Sequence, residues 1–390
     1  MENFDYGAKN PSKIKVFGVG GGGSNAVARM YEEGLQDVEL FIVNTDIQHL
    51  DSLPVPNKIH IGESVTRGLG AGSKPEVGEE AAKENINVIK EHMEGADMVF
   101  IAAGLGGGTG TGAAPVIAQA AKEMGILTVA VVTKPFDFEG PRRAKIAEEG
   151  LLRLKEVVDT YIVIHNQKLA QIAGKRFTFK EAFKLVDSIL YKAVRGITDL
   201  ILVPGLVNVD FADVRTIMEG GGKALIGVGS GKGESKIEEA VMSATTSPLL
   251  EGTSIKGARR LLINVEVSPD LSYADVDEAI AMIREEAHED SHIIFGAALN
   301  QDIEDEIRIT VVATDFEDFN KPVERPVEKP VTQKQPPIKT MGQKPKKPEK
   351  PIREIKREEI EEQEKPHIKE TVFDPLDIPT YLRRRKGDIN

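Results

Sequence analysis

Short apolar runs alternate with amphipathic stretches between residues 13 and 316. In the first half of this region, five apolar runs of strand length read KIKVFGVG, VELFIVNTD, ADMVFIAAG, ILTVAVVTK and TYIVIHN. Helical periodicity separates these runs and predicts helices over 23–34, 76–94, 113–124 and 142–158. Strands that alternate with helices in this way predict a parallel sheet covered on both faces.

Two of the predicted helices have end signals in the sequence. Helix 113–124 has Pro115 in its predicted first turn, where proline is tolerated, and stops before Gly125, a common residue after a helix end. A longer helix, about 179–197, begins with the capping-box pair Thr178 and Glu181. Its apolar positions recur at helical spacing; they are Phe183, Val186, Leu190, Val194 and Ile197.

The alternation of strands and helices resumes after the run DLILVPG. Strands are predicted near 224–229, 260–267, 292–299 and 306–314, and helices near 234–245 and 273–287. A polar connection joins the last two strands, which indicates a mixed sheet. The predicted fold class is therefore α/β, with a parallel-sheet domain joined by a long central helix to a second α/β domain that has a mixed sheet.

The composition changes sharply near Asn320. Residues 321–370 contain nine prolines and no aromatic residue, a composition that cannot bury enough apolar surface to offset the entropy of ordering. We therefore predict a disordered linker. The full predicted division is a flexible extension at 1–12, the parallel-sheet domain at 13–178, the central helix at 179–203, the second α/β domain at 204–316, the linker at 317–370 and a terminal peptide at 371–390.

The terminal peptide, residues 371–390, is apolar again after the linker. It contains Val372, Phe373, Leu376, Ile378, Tyr381 and Leu382, followed by the basic run RRRK. An apolar segment at the end of a tether is typical of a docking peptide that fits a groove on a partner protein. An inert tail is the alternative.

Composition excludes several classes of site and partner. The chain has no cysteine, so it has no disulfide, thiolate zinc site or cysteine nucleophile, as expected of a cytoplasmic protein. It shows no signal-peptide pattern and no apolar run near the roughly 20 residues that span a bilayer. The net charge is −12, although the last 70 residues have 18 basic and 13 acidic side chains. An acidic body argues against nucleic-acid binding.

The first candidate site is the glycine-rich sequence GVGGGGSN, residues 18–25, which follows a predicted strand and opens a predicted helix. Gly18, Gly20 and Gly23 satisfy G-x-G-x-x-G, and bare amides at a helix N-terminus can face a phosphate. Four consecutive glycines satisfy many patterns, so this motif alone has low specificity. A tight strand-to-helix turn is the alternative.

The second glycine-rich loop, GLGGGTGTG at 104–112, also follows a strand and opens a helix. Each of its six glycines costs roughly 0.5–1 kcal/mol relative to alanine, more than a simple hinge requires. Its amides can surround an anion, and the hydroxyls of Thr109 and Thr111 can contact phosphate or magnesium. Two such loops meet at the carboxyl edge of a parallel sheet, and with RGLGAGSKPEVG at 67–78 they suit a triphosphate. No P-loop lysine motif is present, so amides and helix dipoles are expected to hold the phosphates.

These motifs resemble those of a known family. GGGTGTG is similar to the tubulin-family signature, and residues 13–316 resemble the FtsZ branch of that family. NTD (44–46), FEGPRR (138–143) and PGLVNVDFADVR (204–215) follow in that family's order, and DPLDIPTYLRRR resembles its terminal peptide. The resemblance implies a tubulin-like fold and a cell-division GTPase that assembles head-to-tail into filaments of a division ring at mid-cell. It also implies membrane-tethering and regulatory partners that bind residues 371–390.

The resemblance further assigns residues to the parts of GTP or GDP. It implies phosphate contacts from Gly21, Gly22, Gly107, Gly108, Thr109 and Gly110, with Ala71 and Gly72 near the γ-phosphate and Mg²⁺ bound through the phosphates. Glu139 and Arg143 would hold the ribose. Asn25, Asn166, Phe183 and Asp187 would recognise guanine, Phe183 by stacking. From the residues alone, a core aromatic and a helix-surface carboxylate are the simpler interpretations of Phe183 and Asp187.

The catalytic residues implied by the resemblance lie elsewhere in the chain. Asp210 and Asp213 would polarise the attacking water at the nucleotide of the next subunit, and Asn208 would orient it. Spacing alone favours a simpler role, because acidic residues near a helix start stabilise the helix dipole. The chain departs from the family pattern at Ser73, Lys74, Pro141, Arg142 and Gln167.

Two other functions remain alternatives at this stage. A dinucleotide-dependent oxidoreductase would explain the first glycine loop and Asp46, but it leaves the second loop unexplained. A nucleotide-binding scaffold without hydrolysis would leave Asp210 and Asp213 without a role.

Overall fold

The computed structural model describes residues 12–35, 37–173, 178–203, 205–246, 255–301 and 303–316. Ten strands in these residues form one continuous sheet in the order β3-β2-β1-β4-β5-β6-β7-β10-β8-β9. The strands are β1 (Ile14–Val19), β2 (Val38–Asn44), β3 (Asn57–His60), β4 (Met98–Gly104), β5 (Leu127–Lys134), β6 (Thr160–His165), β7 (Gly222–Lys232), β8 (Ala258–Val267), β9 (His292–Leu299) and β10 (Glu306–Phe316).

Twelve α-helices are present in the described residues. They are α1 (Gly20–Glu32), α2 (Ile47–Ser52), α3 (Glu63–Thr66), α4 (Pro75–Glu84), α5 (Ile86–Met93), α6 (Thr109–Glu123), α7 (Pro141–Lys155), α8 (Asn166–Ala173), α9 (Phe179–Leu202), α10 (Phe211–Met218), α11 (Lys236–Thr245) and α12 (Tyr273–Glu286), with a 3₁₀ turn at Asp137–Glu139. None of the helices in the described part of the chain is long and apolar enough to span a membrane.

The sheet changes character along its length. Strands β1 to β6 are all parallel to their neighbours, and β7 continues this pattern by pairing with β6 through Gly222–Ala224. Strand β10 is antiparallel to both β7 and β8, whereas β9 is parallel to β8. The predicted α/β fold, with a parallel half and a mixed half, is therefore confirmed.

The helices cover both faces of this sheet, because successive strand residues point to opposite sides. Val16 of β1 packs into a core with α1, α9 and α10, while its neighbour Phe17 packs into the opposite core with α4 to α7. A third core joins α11 and α12 to β7, β8 and β10. Each face of the parallel half is thus sealed, as its nearly continuous apolar strands require.

The central helix α9 begins as the capping box predicted. Thr178 accepts a hydrogen bond from the Glu181 amide at 3.3 Å, and the Glu181 carboxylate accepts one from the Thr178 amide at 2.7 Å. The predicted apolar positions Val186, Leu190, Val194 and Ile197 are buried, but Phe183 is partly exposed. The helix ends at Leu202, which lies beyond the predicted periodic stretch 179–197 and next to the predicted segment limit at residue 203.

Several predicted helix boundaries were wrong. α6 starts at Thr109 rather than at residue 113, so Pro115 lies inside the helix and not in its first turn. α1 likewise starts at Gly20, within the glycine run. The predicted helix 76–94 is divided at Asn85, whose carboxamide oxygen accepts a hydrogen bond from the Gly62 amide at 2.8 Å. In each case tertiary contacts override a local signal.

The predicted domain limits remain predictions. The N-terminal extension 1–12, apart from Ser12, and the segments 317–370 and 371–390 lie outside the described residues.

Candidate functional site

The two glycine-rich loops lie side by side at the carboxyl edge of the sheet. β1 leads into α1 and the neighbouring parallel strand β4 leads to α6, so both loops open at the same edge. Between them lies a cavity of about 480 Å³. All fourteen residues for which the resemblance implies nucleotide contacts line this cavity: Gly21, Gly22, Asn25, Ala71, Gly72, Gly107, Gly108, Thr109, Gly110, Glu139, Arg143, Asn166, Phe183 and Asp187.

The glycines of the second loop serve two different purposes. A Cβ on Gly107 would meet nothing within 4 Å, so its backbone faces open cavity. A Cβ on Gly110 would lie 2.7 Å from the Gly104 carbonyl oxygen and 3.2 Å from that of Val19. Gly110 is therefore required by the close approach of the two loops themselves, whereas Gly107 leaves bare backbone for a ligand.

This difference predicts that two matched substitutions affect different properties, one the stability and the other the affinity for nucleotide. Gly110→Ala is expected to lower the free energy of unfolding by about 1–3 kcal/mol, because the added methyl group overpacks the junction of the loops. Gly107→Ala is expected to leave stability within about 0.5 kcal/mol of wild type but to weaken GTP binding. Denaturant unfolding and equilibrium nucleotide binding of both variants test this, and equal loss of stability in the two would contradict it.

The two threonines of the second loop also differ. Thr109 lines the cavity, and its hydroxyl shares a 2.7 Å hydrogen bond with the hydroxyl of Thr45. Thr111 is fully buried, and its hydroxyl accepts a 2.9 Å hydrogen bond from the Gly106 amide. The prediction that Thr111 contacts phosphate or magnesium was therefore wrong, since this side chain stabilises the turn from inside.

One end of the cavity has hydrogen-bond acceptors suited to a base. Asn166 is 5% exposed, and its carboxamide oxygen has no hydrogen-bond partner among the described residues. Burial raises the pKa of Asp187 to about 6, although the nearby Arg29 guanidinium opposes this shift. A buried acceptor without a partner costs free energy, so both groups favour a ligand with hydrogen-bond donors.

Phe183 lies at the same end of the cavity within a cluster of four aromatic rings. Its ring centroid is 5.2 Å from that of Phe136 and 5.1 Å from that of Phe179, and Phe138 contacts both of these neighbours. Phe183 is 40% exposed and lines the cavity. It is therefore not a core aromatic, and its exposed part can stack on a planar ligand.

Glu139 and Arg143 form another part of the cavity wall. The Glu139 carboxylate accepts a hydrogen bond from the Phe136 amide at 2.9 Å and pairs with the Arg143 guanidinium. Each carboxylate oxygen of Glu139 is thus held by a partner within the protein. The wall presents a fixed carboxylate and an arginine, groups that can bind hydroxyls.

Asn208, Asp210 and Asp213 do not line the cavity. α9 starts at the cavity, and its 24 residues span about 36 Å. Its last residue, Leu202, lines a separate cavity with Lys13 and Ile14 at the start of β1. The segment after α9 therefore begins at the opposite edge of the sheet.

Two of these three residues, Asp210 and Asn208, use their side chains to stabilise that segment locally. Asp210 caps α10 by accepting a hydrogen bond from the Asp213 amide at 2.9 Å. The Asn208 carboxamide oxygen accepts one from the Gly205 amide at 2.7 Å. The simpler helix-capping role is present for Asp210, while the side chains of Asn208 and Asp210 are exposed. Capping and a second role at an interface are compatible.

Family comparisons agree with this architecture. Residues 13–174 match the model of the Tubulin/FtsZ family GTPase domain, and residues 222–317 match that of the FtsZ family C-terminal domain. The cell division protein FtsZ of Aquifex aeolicus is 62% identical over 307 residues, which are 79% of this chain and 84% of the Aquifex protein. This chain belongs to the FtsZ family.

Further FtsZ relatives cover a similar share of this chain. The FtsZ of Rickettsia bellii is 50% identical over 320 residues, covering 82% of this chain and 70% of that protein. Among solved structures, the empty FtsZ dimer of M. jannaschii superimposes with a TM-score of 0.74 at 45% identity, covering 79% of this chain and 90% of that one. The chain is accordingly a cell-division GTPase that hydrolyses GTP to GDP and phosphate. The oxidoreductase and the non-hydrolysing scaffold are both wrong.

The cavity of this FtsZ-family protein has further polar residues to which the sequence reasoning gave no role in the nucleotide site. Asn44 and Thr133 lie at the carboxyl ends of β2 and β5, where the rule that ligands bind at that edge of a parallel sheet points to them. Asp46, the acidic residue of the NTD motif and of the dinucleotide alternative, lines the cavity too. His49, in the short helix α2, has no sequence signal, because only folding places it beside α1.

Proposed function

We propose that this FtsZ-family GTPase hydrolyses GTP only between subunits, with Asp210, Asp213 and Asn208 of one subunit acting at the nucleotide of the next. The support is geometric, since the nucleotide cavity and these side chains belong to opposite edges of one sheet. A carboxylate must lie within hydrogen-bond reach of the water it activates. Asp210 and Asp213 therefore require a second subunit.

Both edges of the sheet expose large apolar side chains. Leu69 and Phe179, next to the cavity, are 84% and 65% exposed. Leu206 and Val207, beside Asn208, are 66% and 40% exposed. Two different apolar surfaces at opposite ends favour a heterologous contact, and such a contact that does not close produces a filament. The FtsZ dimer known from M. jannaschii supports assembly of identical chains.

Within each subunit, the observation that best supports guanine recognition is the buried Asn166 oxygen without a partner, in the cavity that Asp187 also lines. Guanine offers N1–H and N2–H₂ donors along one edge, which these two acceptors can receive while Phe183 stacks on the ring. We assign Asn25 to the same base, Glu139 and Arg143 to the ribose, and Ala71 and Gly72 to the γ-phosphate. The remaining phosphate contacts come from Gly21, Gly22, Gly107, Gly108, Thr109 and Gly110.

Hydrolysis then needs little covalent chemistry from the protein. Asp210 and Asp213 would accept hydrogen bonds from the attacking water and polarise it, and Asn208 would orient it. The amides at the start of α6 would stabilise the charge that develops on the phosphate oxygens. Because the water-activating groups arrive only with the next subunit, assembly switches turnover on and hydrolysis weakens the contact.

Mg²⁺ fits this site as a companion of the nucleotide. Among the described residues, no group of three or more His, Asp or Glu side chains can hold a metal ion. Asp46 and Thr109, both lining the cavity, supply one carboxylate and one hydroxyl. Magnesium is commonly held by one or two carboxylates together with substrate phosphates. When bound, the ion would neutralise phosphate charge, and Asp46 and Thr109 are the lining residues that could hold it together with the phosphates.

The dependence of activity on assembly is directly measurable. GTP turnover per subunit is expected to rise steeply with protein concentration, and light scattering is expected to rise when GTP is added. The reason is that each active site contains groups from two chains. Phosphate release measured over a wide range of protein concentration tests this. A turnover per subunit that stays constant as the protein concentration rises, with no scattering at any concentration, would contradict the shared site.

We also propose that the filaments form the division ring at mid-cell, on the inner side of the membrane, and that membrane-tethering and regulatory division proteins bind residues 371–390. The support is the apolar and basic composition of this segment. Removing residues 371–390 should preserve GTP turnover and abolish binding to a membrane-anchored division protein. Unchanged binding would refute the docking role.

A further inference from the structure

An unbranched chain of hydrogen bonds runs along one wall of the nucleotide cavity. The Thr45 amide donates to the Asn44 carboxamide oxygen at 2.9 Å. The Asn44 carboxamide nitrogen lies 3.1 Å from Nδ1 of His49, and Nε2 of His49 lies 3.0 Å from the Asn25 carboxamide oxygen. Asn25, Asn44 and His49 all line the cavity. This series of hydrogen bonds thus connects the fixed backbone amide of Thr45 with the side chain of Asn25 at the cavity.

The direction of every bond in this chain follows from its first member. A backbone amide can only donate, so the Asn44 oxygen faces Thr45 and the Asn44 NH₂ group faces His49. Nδ1 of His49 must then accept, which places the ring proton on Nε2. Nε2–H in turn donates to the Asn25 oxygen. The remaining polar group of Asn25, its NH₂, is the one left for a ligand.

We propose that His49 is a positioning residue that holds the Asn25 carboxamide with its NH₂ group toward the bound nucleotide. This inference rests on the proposed contact between Asn25 and the nucleotide. The ligand group that fits is a hydrogen-bond acceptor of a guanine nucleoside, on the base or the ribose. Asn166 and Asp187 present acceptors to the nucleoside's donors, and Asn25 adds the complementary donor.

Loss of the histidine ring removes this orientation without removing Asn25. An exposed carboxamide without a partner can rotate by half a turn and present its oxygen to an acceptor, which is unfavourable. The backbone of α2 does not depend on the ring, because the His49 amide is held by the Asp46 carboxylate at 3.0 Å. A His49 variant therefore isolates the side-chain bond.

The experiment measures the dissociation constant for GDP by calorimetry, using the full chain stripped of nucleotide. Asn25→Ala and His49→Ala are each expected to weaken binding by about 3–10-fold, the effect of one hydrogen bond. His49→Gln can accept from Asn44 and donate to Asn25, so it should remain within about twofold of wild type. In an Asn25→Ala background, His49→Ala should cause no further loss. His292→Ala, an exposed histidine on β9, is the matched control.

Distinct results would overturn the distinct claims. The positioning role is wrong if His49→Ala weakens GDP binding by the same factor in wild type and in the Asn25→Ala background. It is also wrong if Asn25→Ala weakens GDP binding and His49→Ala has no effect. If Asn25→Ala binds GDP as tightly as wild type, the proposed contact of Asn25 with the nucleotide is wrong. Thermal unfolding checks each variant, and His49→Leu, which keeps the volume without hydrogen-bonding groups, replaces His49→Ala if the alanine variant fails to fold. Loss of binding in the glutamine variant as large as in the leucine variant would also reject the inference.

Discussion

Replacing Asp213 with alanine is expected to reduce GTP turnover by about 100-fold or more while leaving GTP affinity within about twofold of wild type. The nucleotide cavity retains all its lining residues, because Asp213 is not one of them. α10 also keeps its cap, since the Asp210 carboxylate binds the backbone amide of residue 213 and not its side chain. Phosphate release and equilibrium binding, measured on the same preparation, test both parts.

Glu238→Ala, which removes an exposed carboxylate from α11, is the matched control and should leave turnover unchanged. A mixture with a binding-defective variant such as Asp187→Ala gives a sharper test. In an equal mixture, about one junction in four pairs an intact cavity with an intact Asp213, so turnover should return to about a quarter of wild type. Loss of GTP binding by Asp213→Ala, or no recovery in the mixture, would show that Asp213 acts within its own subunit.

Affinity for GTP is expected to fall about fourfold when the pH is lowered from 7.5 to 5.5, because Asp187 then loses its charge. Burial raises the pKa of this carboxyl to about 6. Only the ionised carboxylate accepts hydrogen bonds from both guanine donors. The affinity for GTP therefore has its full value well above pH 6 and falls as the pH is lowered through 6. At pH 5.5 about one quarter of the carboxyl groups remain ionised. Calorimetric titrations at several pH values measure this dependence.

Asp187→Asn isolates this group from the other titratable residues of the cavity, among them Asp46, His49 and Glu139. The carboxamide of the variant has only one acceptor oxygen, so its NH₂ group would face one of the two guanine donors. GTP affinity should therefore drop about 10–100-fold. The part of the pH dependence that Asp187 causes should disappear, so Asp187→Asn should show a weaker pH dependence than wild type. Binding of xanthosine triphosphate, which has a carbonyl in place of the guanine amino group, should improve. A pH dependence in Asp187→Asn as large as in wild type would show that Asp187 is not the titrating group.

Much of the fold follows from local patterns in the sequence. The apolar runs became strands, and the pair Thr178 and Glu181 became the cap of α9, because both depend on residues close together in the chain. Strand order does not follow from such patterns. β10, last in the sequence, lies between β7 and β8, a position set by which apolar surfaces pack best across the whole sheet.

The site shows the same division. The sequence alone located both glycine loops and, through the motifs they share with the FtsZ family, the residues that line the cavity. It could not separate Gly107, where an added Cβ would meet open space, from Gly110, where an added Cβ would meet the Gly104 carbonyl oxygen. Nor could it separate Thr109 from Thr111, because the role of each depends on which segment folds against it.

The sequence by itself therefore determined the α/β class and the presence of two phosphate-binding loops, since period and glycine content act on the chain locally. Only the tertiary structure decided that Asp210 and the nucleotide cavity belong to opposite edges of the sheet. α9, about 36 Å long, sets that separation. The tertiary structure also decided that His49 contacts Asn25, although the two residues are 24 positions apart in the sequence. Both are distances through space, and a linear pattern contains no measure of them.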